Sequence, residues 1–376
     1  MRNPPDIAVV PINPPDLVHA ARRVAVIAEA LAARHDVDGS VPSGELAALA
    51  NTGLLHAPLP PVWGGTSLGM NPSMALALRD VLRTIGGASL SLGRLYEGHV
   101  NAVRLVTHYG DTGQLRRLAA EATAGRLSAV WNAQTGEGLR LSGNNLVGSK
   151  IYTSGLGVVR RPVLTAMRGD GLVMVMPDVA AARSDLSGWT PLGMRASLTG
   201  VADFTGITVD PGDVIGAPGD YYRSPLFAGG AWRVLAVQLG ALEKLVALYR
   251  VEMRKRGRTA DPVQRARFGE ASARVETCRL WTLRTAIAAE DPAVDAAEID
   301  ALVNMARHEF EHAALAIIER IERGIGLAAM LRPAPAERII RDLTTYLRQP
   351  FPDAALDAAA GWALADRPLH ADLGDA

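Results

Sequence analysis

The sequence predicts an α+β protein with three domains: an N-terminal α-helical domain (residues 1–125), a small central β-barrel or sheet domain (126–218) and a C-terminal four-helix bundle (219–376). Two observations predict this class. Short apolar runs at 163–167 and 172–176 lie between glycines and polar turns, the pattern of a compact β domain. The segments on either side carry apolar residues every three or four positions, which indicates long helices. A chain of 376 residues is long enough for these domains to share a large core.

Composition and charge exclude several classes of protein. Lys plus Arg equals Asp plus Glu at 39 each, so no basic excess favours a nucleic-acid partner. Hydrophobic residues make up 48% of the chain, but no apolar run is long enough to span a bilayer. Cys278 is the only cysteine, which excludes an internal disulfide and a thiolate zinc cluster. The N-terminus lacks the charged start and apolar stretch of a signal peptide, and we therefore expect a soluble, cytoplasmic protein.

The N-terminal domain begins with a proline-rich arm and continues as helices. The first helix starts near Asp16, and one of its faces carries Leu17, Ala20, Val24, Ile27 and Leu31. Ser43 is expected to cap a second helix over 43–53, and the prolines and glycines of 59–65 predict a loop. Three further helices are predicted at 71–85, 89–109 and 112–124.

The C-terminal domain is predicted to be an antiparallel bundle, since long helical patterns follow each other there without long loops. A turn-rich linker covers 211–225. The predicted helices then span 226–256, 262–289, 300–324 and 336–346, and the last one ends where Pro350 and Pro352 approach.

Five short patterns occur along the chain in a fixed order. They are Pro60-Pro61-Val62-Trp63-Gly64-Gly65, Gly148-Ser149-Lys150-Ile151-Tyr152-Thr153-Ser154-Gly155, Gly193-Met194-Arg195-Ala196-Ser197-Leu198-Thr199, Arg323-Gly324-Ile325-Gly326 and Glu337-Arg338-Ile339-Ile340-Arg341-Asp342. No single pattern is specific. Together with the domain order, the ordered set resembles the acyl-CoA dehydrogenase superfamily, and the resemblance covers nearly the whole chain.

The resemblance implies a flavin, FAD or else FMN, held between the β domain and the C-terminal bundle of a partner subunit. It therefore implies a homodimer or homotetramer, a small hydrophobic or acyl-thioester substrate, and an electron-transfer partner or flavin reductase. The residues that the resemblance assigns to the flavin are Trp131, Asn132, Tyr152, Thr153, Ser154, Gly155, Arg195, Gly324 and Gly326.

Three of these residues have specific expected roles. Trp131 and Tyr152 would form a flat wall for the flavin ring, and Ser154 would donate a hydrogen bond to its N5 edge. A strand running through 150–155 would place Tyr152 and Ser154 on one face. From the residues alone, two ordinary sheet aromatics and a turn serine are the alternative interpretation.

The expected activity is oxidation of a CH–CH bond, but the catalytic glutamate of the dehydrogenases is missing. Residues 345–350 contain no carboxylate, and the second position known for such a base holds Trp232-Arg233. His99 and Glu97 are the remaining candidates for a base. Ser154 and His99 are thus the candidate catalytic residues.

Other patterns resemble flavin-dependent monooxygenases of the dibenzothiophene monooxygenase type. Asn132, the run Ser154-Gly155-Leu156-Gly157 and His99 match that branch, whereas Arg348 stands near the place of its second histidine. Glu97 and Arg348 are the candidate substrate-binding residues. A monooxygenase that uses reduced flavin and oxygen, and a non-catalytic flavin or acyl binder, therefore stay open beside the dehydrogenase.

The run His308-Glu309-Phe310-Glu311-His312 fits the zinc-binding pattern of metallopeptidases, with two histidines one helical turn apart. Phe310 and Ala313, however, lie on the packed stripe of the predicted helix, and the charged residues face away from it. We therefore expect a solvated helix face and no metal.

Overall fold

The computed structural model describes residues 14–348 and 350–365, and most of the predicted proline-rich arm lies outside these residues. The N-terminal domain has five helices: α1 Pro14–Asp38, α2 Ser43–Asn51, α3 Pro72–Ala88, α4 Leu90–Tyr109 and α5 Thr112–Thr123. Side chains cap three of them, since Asn71, Ser89 and Asp111 each accept from an amide of the first turn. The prediction that Ser43 caps α2 is wrong, because Pro42 occupies the cap and makes no side-chain bond there.

The central domain consists of nine short strands in two sheets. The strands are β1 Val130–Trp131, β2 Arg140–Ser142, β3 Asn145–Val147, β4 Ser149–Lys150, β5 Val163–Arg168, β6 Gly171–Val175, β7 Arg183–Asp185, β8 Val201–Asp203 and β9 Val214–Ile215. One sheet has the order β3-β2-β5-β6-β9 with β1 parallel to β5, and the other has the order β4-β8-β7. The two sheets do not close into a barrel, so the sheet form of the prediction is the one observed.

The C-terminal helices are α6 Trp232–Lys255, α7 Pro262–Ala289, α8 Ala296–Ile325, α9 Pro335–Tyr346 and α10 Pro352–Leu364. Helices α6, α7, α8 and α10 pack as the bundle, whereas α9 packs against α4 and α6. Helix α10 was not predicted, because Pro352 was interpreted as a breaker. Proline is compatible with the first turn of a helix, where its missing N–H is not needed, and Pro352 occupies that position.

The helical domains pack directly on each other through α3 and α6. A side chain at Gly240 on α6 would place its Cβ 1.9 Å from the carbonyl oxygen of Arg83 on α3, so only glycine permits this approach. The β domain contacts the helices through the short 3₁₀ turn Arg195–Ser197, which lies against α1 and α4. Within the described residues, no helix is long and apolar enough to cross a bilayer.

Candidate functional site

Ser154 lies at the end of a chain of hydroxyl groups. Its Oγ is 2.9 Å from Oγ1 of Thr199, and that atom is 2.8 Å from Oγ of Ser197. The Ser197 hydroxyl in turn lies 2.7 Å from the carbonyl oxygen of Met194. All three hydroxyl side chains are buried, so these bonds face little competition from water.

The carbonyl at the end fixes the direction of every hydrogen bond in this chain. A carbonyl oxygen only accepts, so Ser197 gives its single hydroxyl hydrogen to Met194. Thr199 then donates to Oγ of Ser197 at 2.8 Å, which is shorter than the 3.4 Å to its other acceptor, the Ser197 carbonyl, and Ser154 donates to Thr199. The expectation that Ser154 donates to a ligand is therefore corrected, because its hydrogen is already committed and only its lone pairs remain.

Trp131 and Thr153 hold the backbone around Ser154 from inside the β domain. The Trp131 indole is buried against Phe204, with ring centroids 6.0 Å apart, and its N–H donates to the carbonyl oxygen of Ser154 at 2.9 Å. The Thr153 hydroxyl is also buried and donates to the carbonyl of Gly200 at 2.9 Å. These contacts contradict the prediction of Trp131 as a flavin wall, since its ring lies in the core.

Tyr152 differs from its neighbours because its ring is 64% exposed. The strand ends at Lys150, and Tyr152 has a φ of 53°, in the left-handed region. The expected alternation that would put Tyr152 and Ser154 on one strand face is therefore wrong. The exposed ring makes an edge contact with Trp189 at 6.3 Å and presents most of its surface to solvent. Tyr152 thus remains available as an aromatic surface for a ligand.

Lys150 is fully buried, and its ammonium group contacts only neutral oxygens among the described residues. Its Nζ donates to the carbonyl of Asn132 at 2.9 Å, to Oε1 of Gln134 at 2.5 Å and to Oγ1 of Thr165 at 2.9 Å. Burial lowers the pKa of Lys150 to about 8. Lys150 therefore fixes the segment after β1 that contains Asn132, a role that the sequence motif did not indicate.

Asn132 joins the β domain to the linker before α6. Its Oδ1 accepts from Thr165 at 2.6 Å, and its Nδ2 donates to the hydroxyl of Tyr222 at 3.1 Å. The rings of Tyr221, Tyr222 and Phe227 are mutually in contact, with centroid separations between 4.8 and 5.3 Å. The rings of Tyr222 and Phe227 are about half exposed, so an open aromatic surface adjoins Asn132.

Helix α9 clamps the turn from which the hydroxyl chain starts. The carboxylate of Asp342 accepts from the amide of Met194 at 2.6 Å, and the hydroxyl of Thr345 accepts from the amide of Gly193 at 3.0 Å. Met194 has a φ of 61°, a left-handed conformation that needs such support. Burial raises the pKa of Asp342 to about 6, against the opposing effect of the Met194 amide.

His99 is a structural residue, which corrects the prediction of a catalytic one. Its Nε2 lies 2.9 Å from the carbonyl of Leu55, and its Nδ1 accepts from the amide of Ser128 at 3.0 Å. Both nitrogens are therefore occupied by backbone groups, and Nε2 carries the hydrogen. Burial lowers the pKa of His99 to about 4. The ring is neutral and joins α4 to the loops on either side.

The carboxylate of Glu97 also has hydrogen-bond partners for both of its oxygens, and the residue is buried on α4. One of its oxygens accepts from Arg94 at 2.5 Å, and the other accepts from the amide of Asn101. Both oxygens are therefore occupied by side chains of the same helix. The structure therefore contradicts the prediction of Glu97 as a free base for a substrate proton.

The remaining predicted residues lie in several environments. Gly155 has a φ of 87°, and a Cβ there would lie 2.8 Å from Val159, so this turn requires glycine. Arg195 donates to the carbonyl of Val37 at 3.2 Å, at the end of α1. The side chain of Arg348 is largely exposed and forms an ion pair with Glu311 on α8, with a nitrogen–oxygen distance of 2.7 Å.

Gly324 and Gly326, which the resemblance assigned to the flavin, have different surroundings. A Cβ at Gly324 would lie 2.3 Å from the ring of Tyr249, so this glycine serves the packing of α8 on α6 and not a ligand. Gly326 ends α8 with a φ of 76° and has open space around its missing side chain. Of these two glycines, only Gly326 has open space in which a ligand can approach the backbone.

The rings of His308 and His312 lie 4.4 Å apart on α8. Glu311 between them is paired with Arg348. Residues 14–348 and 350–365 contain no group of three side chains suited to hold a metal ion.

Comparisons with known proteins agree with this architecture. No protein family model matches the chain. Dibenzothiophene monooxygenase from Rhodococcus qingshengii is 26% identical over 253 residues, which cover 60% of this chain and 59% of that protein. The match thus spans less than two thirds of the relative. FMN-bound TdsC from Paenibacillus sp. A11-2 superposes with a TM-score of 0.83 at 19% identity, over 93% of this chain and 98% of that one. Butyryl-CoA dehydrogenase from Megasphaera elsdenii superposes with a TM-score of 0.80 at 15% identity, over 97% of this chain and 100% of that one. The chain therefore has the fold of the acyl-CoA dehydrogenases, as its sequence motifs predicted.

Proposed function

We propose that this chain is a flavin-dependent oxidoreductase, and that it is a monooxygenase which uses reduced flavin and oxygen. A bound flavin, FMN or FAD, would supply the electron transfer and the reaction with oxygen. The similarity to dibenzothiophene monooxygenase supports this class, and the fold is shared with TdsC, which binds FMN.

The state of the carboxylates carries the choice between monooxygenase and dehydrogenase. A dehydrogenase needs a positioned base near the carbon that loses its proton. Residues 345–350 contain no carboxylate, and Trp232 stands at the other expected position. Glu97 is bound by Arg94, and Glu290 is bound by both Arg233 and Arg104. The expected dehydrogenation of an acyl-thioester therefore lacks a base, and we replace it with the monooxygenase alternative.

The hydroxyl chain is the feature that fits a flavin. Ser154 presents lone pairs and no hydrogen, because its hydrogen is directed to Thr199. A reduced flavin carries an N5–H donor, whereas the oxidised ring has only an acceptor at N5. An acceptor at Ser154 therefore suits the reduced cofactor, which a monooxygenase of this type must receive. Asn132, Tyr152, Gly155 and Gly326 are the other residues that we propose to contact the flavin.

A separate flavin reductase would supply the reduced cofactor, and a second subunit would complete the site. Gly326 opens a 3₁₀ turn on which Leu327 is 73% exposed, followed by the half-exposed Met330 and Leu331. An apolar turn beside Gly326 favours burial against another copy of the chain. Sedimentation at micromolar concentration should show a homodimer or homotetramer, and a stable monomer would contradict this part of the proposal.

The cofactor and reaction are tested on the purified full chain. Anaerobic titration with reduced and oxidised FMN and FAD should show saturable binding. Oxygen uptake in the presence of a flavin reductase should then depend on the protein and on an organic substrate. Failure to bind any flavin in either oxidation state would overturn the assignment. Bleaching of bound oxidised flavin by an acyl-CoA, without oxygen, would instead establish the dehydrogenase.

A further inference from the structure

A buried network of charged side chains lies where α4, α6 and the end of α7 meet. Arg94 binds Glu97 on the same helix, and Glu97 also accepts from Asn101. Asn101 accepts from Arg233 at 3.1 Å, and Arg233 binds Glu290 at 2.5 Å. Arg104 completes the network through the second oxygen of Glu290 at 2.6 Å. The bonds are continuous from one arginine at each end to the carboxylates between them.

The network carries one more positive charge than negative. Its three guanidinium groups belong to residues 94, 104 and 233, whereas its carboxylates belong only to residues 97 and 290. The neighbouring ion pair of Asp220 and Arg223, at 2.9 Å, adds no net charge. A charge removed from water is costly unless a counter-charge compensates for it. The network therefore favours an additional anion at whichever arginine a ligand can reach.

Arg94 is the arginine of the network that is most accessible. Its side chain is 28% exposed, compared with 18% for Arg104 and 3% for Arg233. Only its Nη1 makes a hydrogen bond within the described part of the chain, to Glu97. A guanidinium group has five N–H donors, so most of those on Arg94 remain for another acceptor.

Two tyrosine rings lie near Arg94. Tyr221 and Tyr346 lie within electrostatic range of its guanidinium group. Tyr221 is in ring contact with Tyr222, whose hydroxyl is bonded to Asn132. The charged pair of Arg94 and Glu97 thus lies near the ring cluster of Tyr221, Tyr222 and Phe227. A planar molecule that carries an anionic group matches both features.

We propose that Arg94 binds an anionic group of the substrate, a carboxylate or a phosphate, while the rest of the substrate lies against the aromatic rings of the linker. The proposal rests on the proposed function, because it assigns the substrate of that same site. It adds an anionic group to the small hydrophobic or acyl-thioester substrate that the sequence resemblance implied. The guanidinium group of Arg94 is then shared between Glu97 inside the protein and the anionic group of the substrate.

The test uses pairs of ligands that share a ring and differ by an added anionic group: indole and indole-3-carboxylate for a carboxylate, and phenol and phenyl phosphate for a phosphate. Dissociation constants are measured by calorimetry on the full chain, with and without bound flavin. We expect the anionic member of at least one pair to bind about tenfold more tightly than its neutral counterpart, which is the worth of one charge-assisted bond. The pair that shows the difference identifies carboxylate or phosphate.

Two variants of the network give opposite expectations. Arg94→Gln should remove the preference for the anion, whereas Glu97→Gln should strengthen anion binding several-fold, because it releases Arg94 from its internal partner. Arg83→Gln, in a partly exposed ion pair with Glu243, is the matched control and should leave the preference unchanged. Should Arg94→Gln fail to fold, Glu97→Gln alone decides the question.

Equal affinity for charged and neutral ligands, or unchanged anion binding in Glu97→Gln, would overturn the assignment of Arg94. Calorimetry without flavin separates this failure from failure of the proposed function. Anion binding that depends on Arg94 in a protein unable to bind flavin would keep the anion site and refute the monooxygenase.

Discussion

Replacement of Thr199 with valine tests the direction of the hydroxyl chain. Valine keeps the shape of threonine but removes the oxygen that accepts from Ser154 at 2.9 Å. The Ser154 hydroxyl is then free to donate, and it can serve the N5 acceptor of oxidised flavin as well as the N5–H donor of reduced flavin. The variant should therefore lose the preference for reduced flavin that we expect of the unmodified protein.

The size of the effect follows from the worth of one neutral hydrogen bond, about 0.5–1.5 kcal/mol. This corresponds to a difference of roughly two- to tenfold between the dissociation constants of the two oxidation states. For a two-electron couple it equals about 10–30 mV. Thr199→Val should bind oxidised FMN more tightly and lower the midpoint potential of the bound flavin by this amount, because it stabilises the oxidised form.

The assay is anaerobic reduction of the bound flavin beside a reference dye of known potential. Thr282→Val is the control, since the Thr282 hydroxyl is likewise buried but donates within α7 to the carbonyl of Cys278 at 2.9 Å. Ser154→Ala should weaken the binding of reduced flavin without strengthening that of oxidised flavin. An unchanged midpoint potential in folded Thr199→Val would refute the placement of Ser154 beside the ring.

Three further predictions concern stability, measured as the free energy of unfolding in urea. The pKa of His99 is depressed to about 4, so only the unfolded chain gains a proton as the pH falls from 6.5, and the free energy of unfolding decreases. This loss amounts to about 2 kcal/mol between pH 6.5 and 5, and His99→Gln should lack it. Equal pH profiles of the two proteins would contradict this prediction. The depressed pKa of Lys150, about 8, means that the folded chain loses its proton first, so stability relative to Lys150→Met should rise by about 1–2 kcal/mol from pH 8 to 9.5; a constant difference would argue for a group that is charged throughout. Gly324→Ala should cost about 1–3 kcal/mol, because its Cβ meets the Tyr249 ring, whereas Gly269→Ala on α7, with open space, should be neutral or slightly stabilising. A Gly324→Ala variant that is fully stable but binds flavin poorly would restore Gly324 as a flavin contact.

The class of the fold and most helix positions could be predicted from the sequence, because apolar spacing and capping residues are local signals. Helix α7 was predicted with its observed bounds, and α4, α5 and α9 within one residue at each end. Helix α10 was missed for a local reason, since proline ends one helix and can begin the next. The strands were harder to predict because several have only two or three residues, and a run that short has no readable alternation.

The site was less predictable, since burial and hydrogen-bond partners depend on the tertiary structure. Trp131 and His99 stand at motif positions, but the fold places both in the core with their polar atoms occupied. Thr199 ends one of the five sequence patterns, but the pattern did not indicate that its hydroxyl orients Ser154, and nothing in the local sequence singled out Arg94. Buried Lys150 is similar: only the fold shows that its ammonium group has no carboxylate partner among the described residues.

The clamp between α9 and the Gly193–Met194 turn has a consequence for protein engineering. The hydroxyl chain ends on the carbonyl of Met194, whose amide is held by Asp342 from another domain. The orientation of the Ser154 hydroxyl thus depends on a residue of another domain. A chimera that transplanted the β domain onto foreign helices would keep every residue of the hydroxyl chain, but it would lose the anchor that orients them. Exchange of domains between such proteins should therefore move α9 together with the β domain.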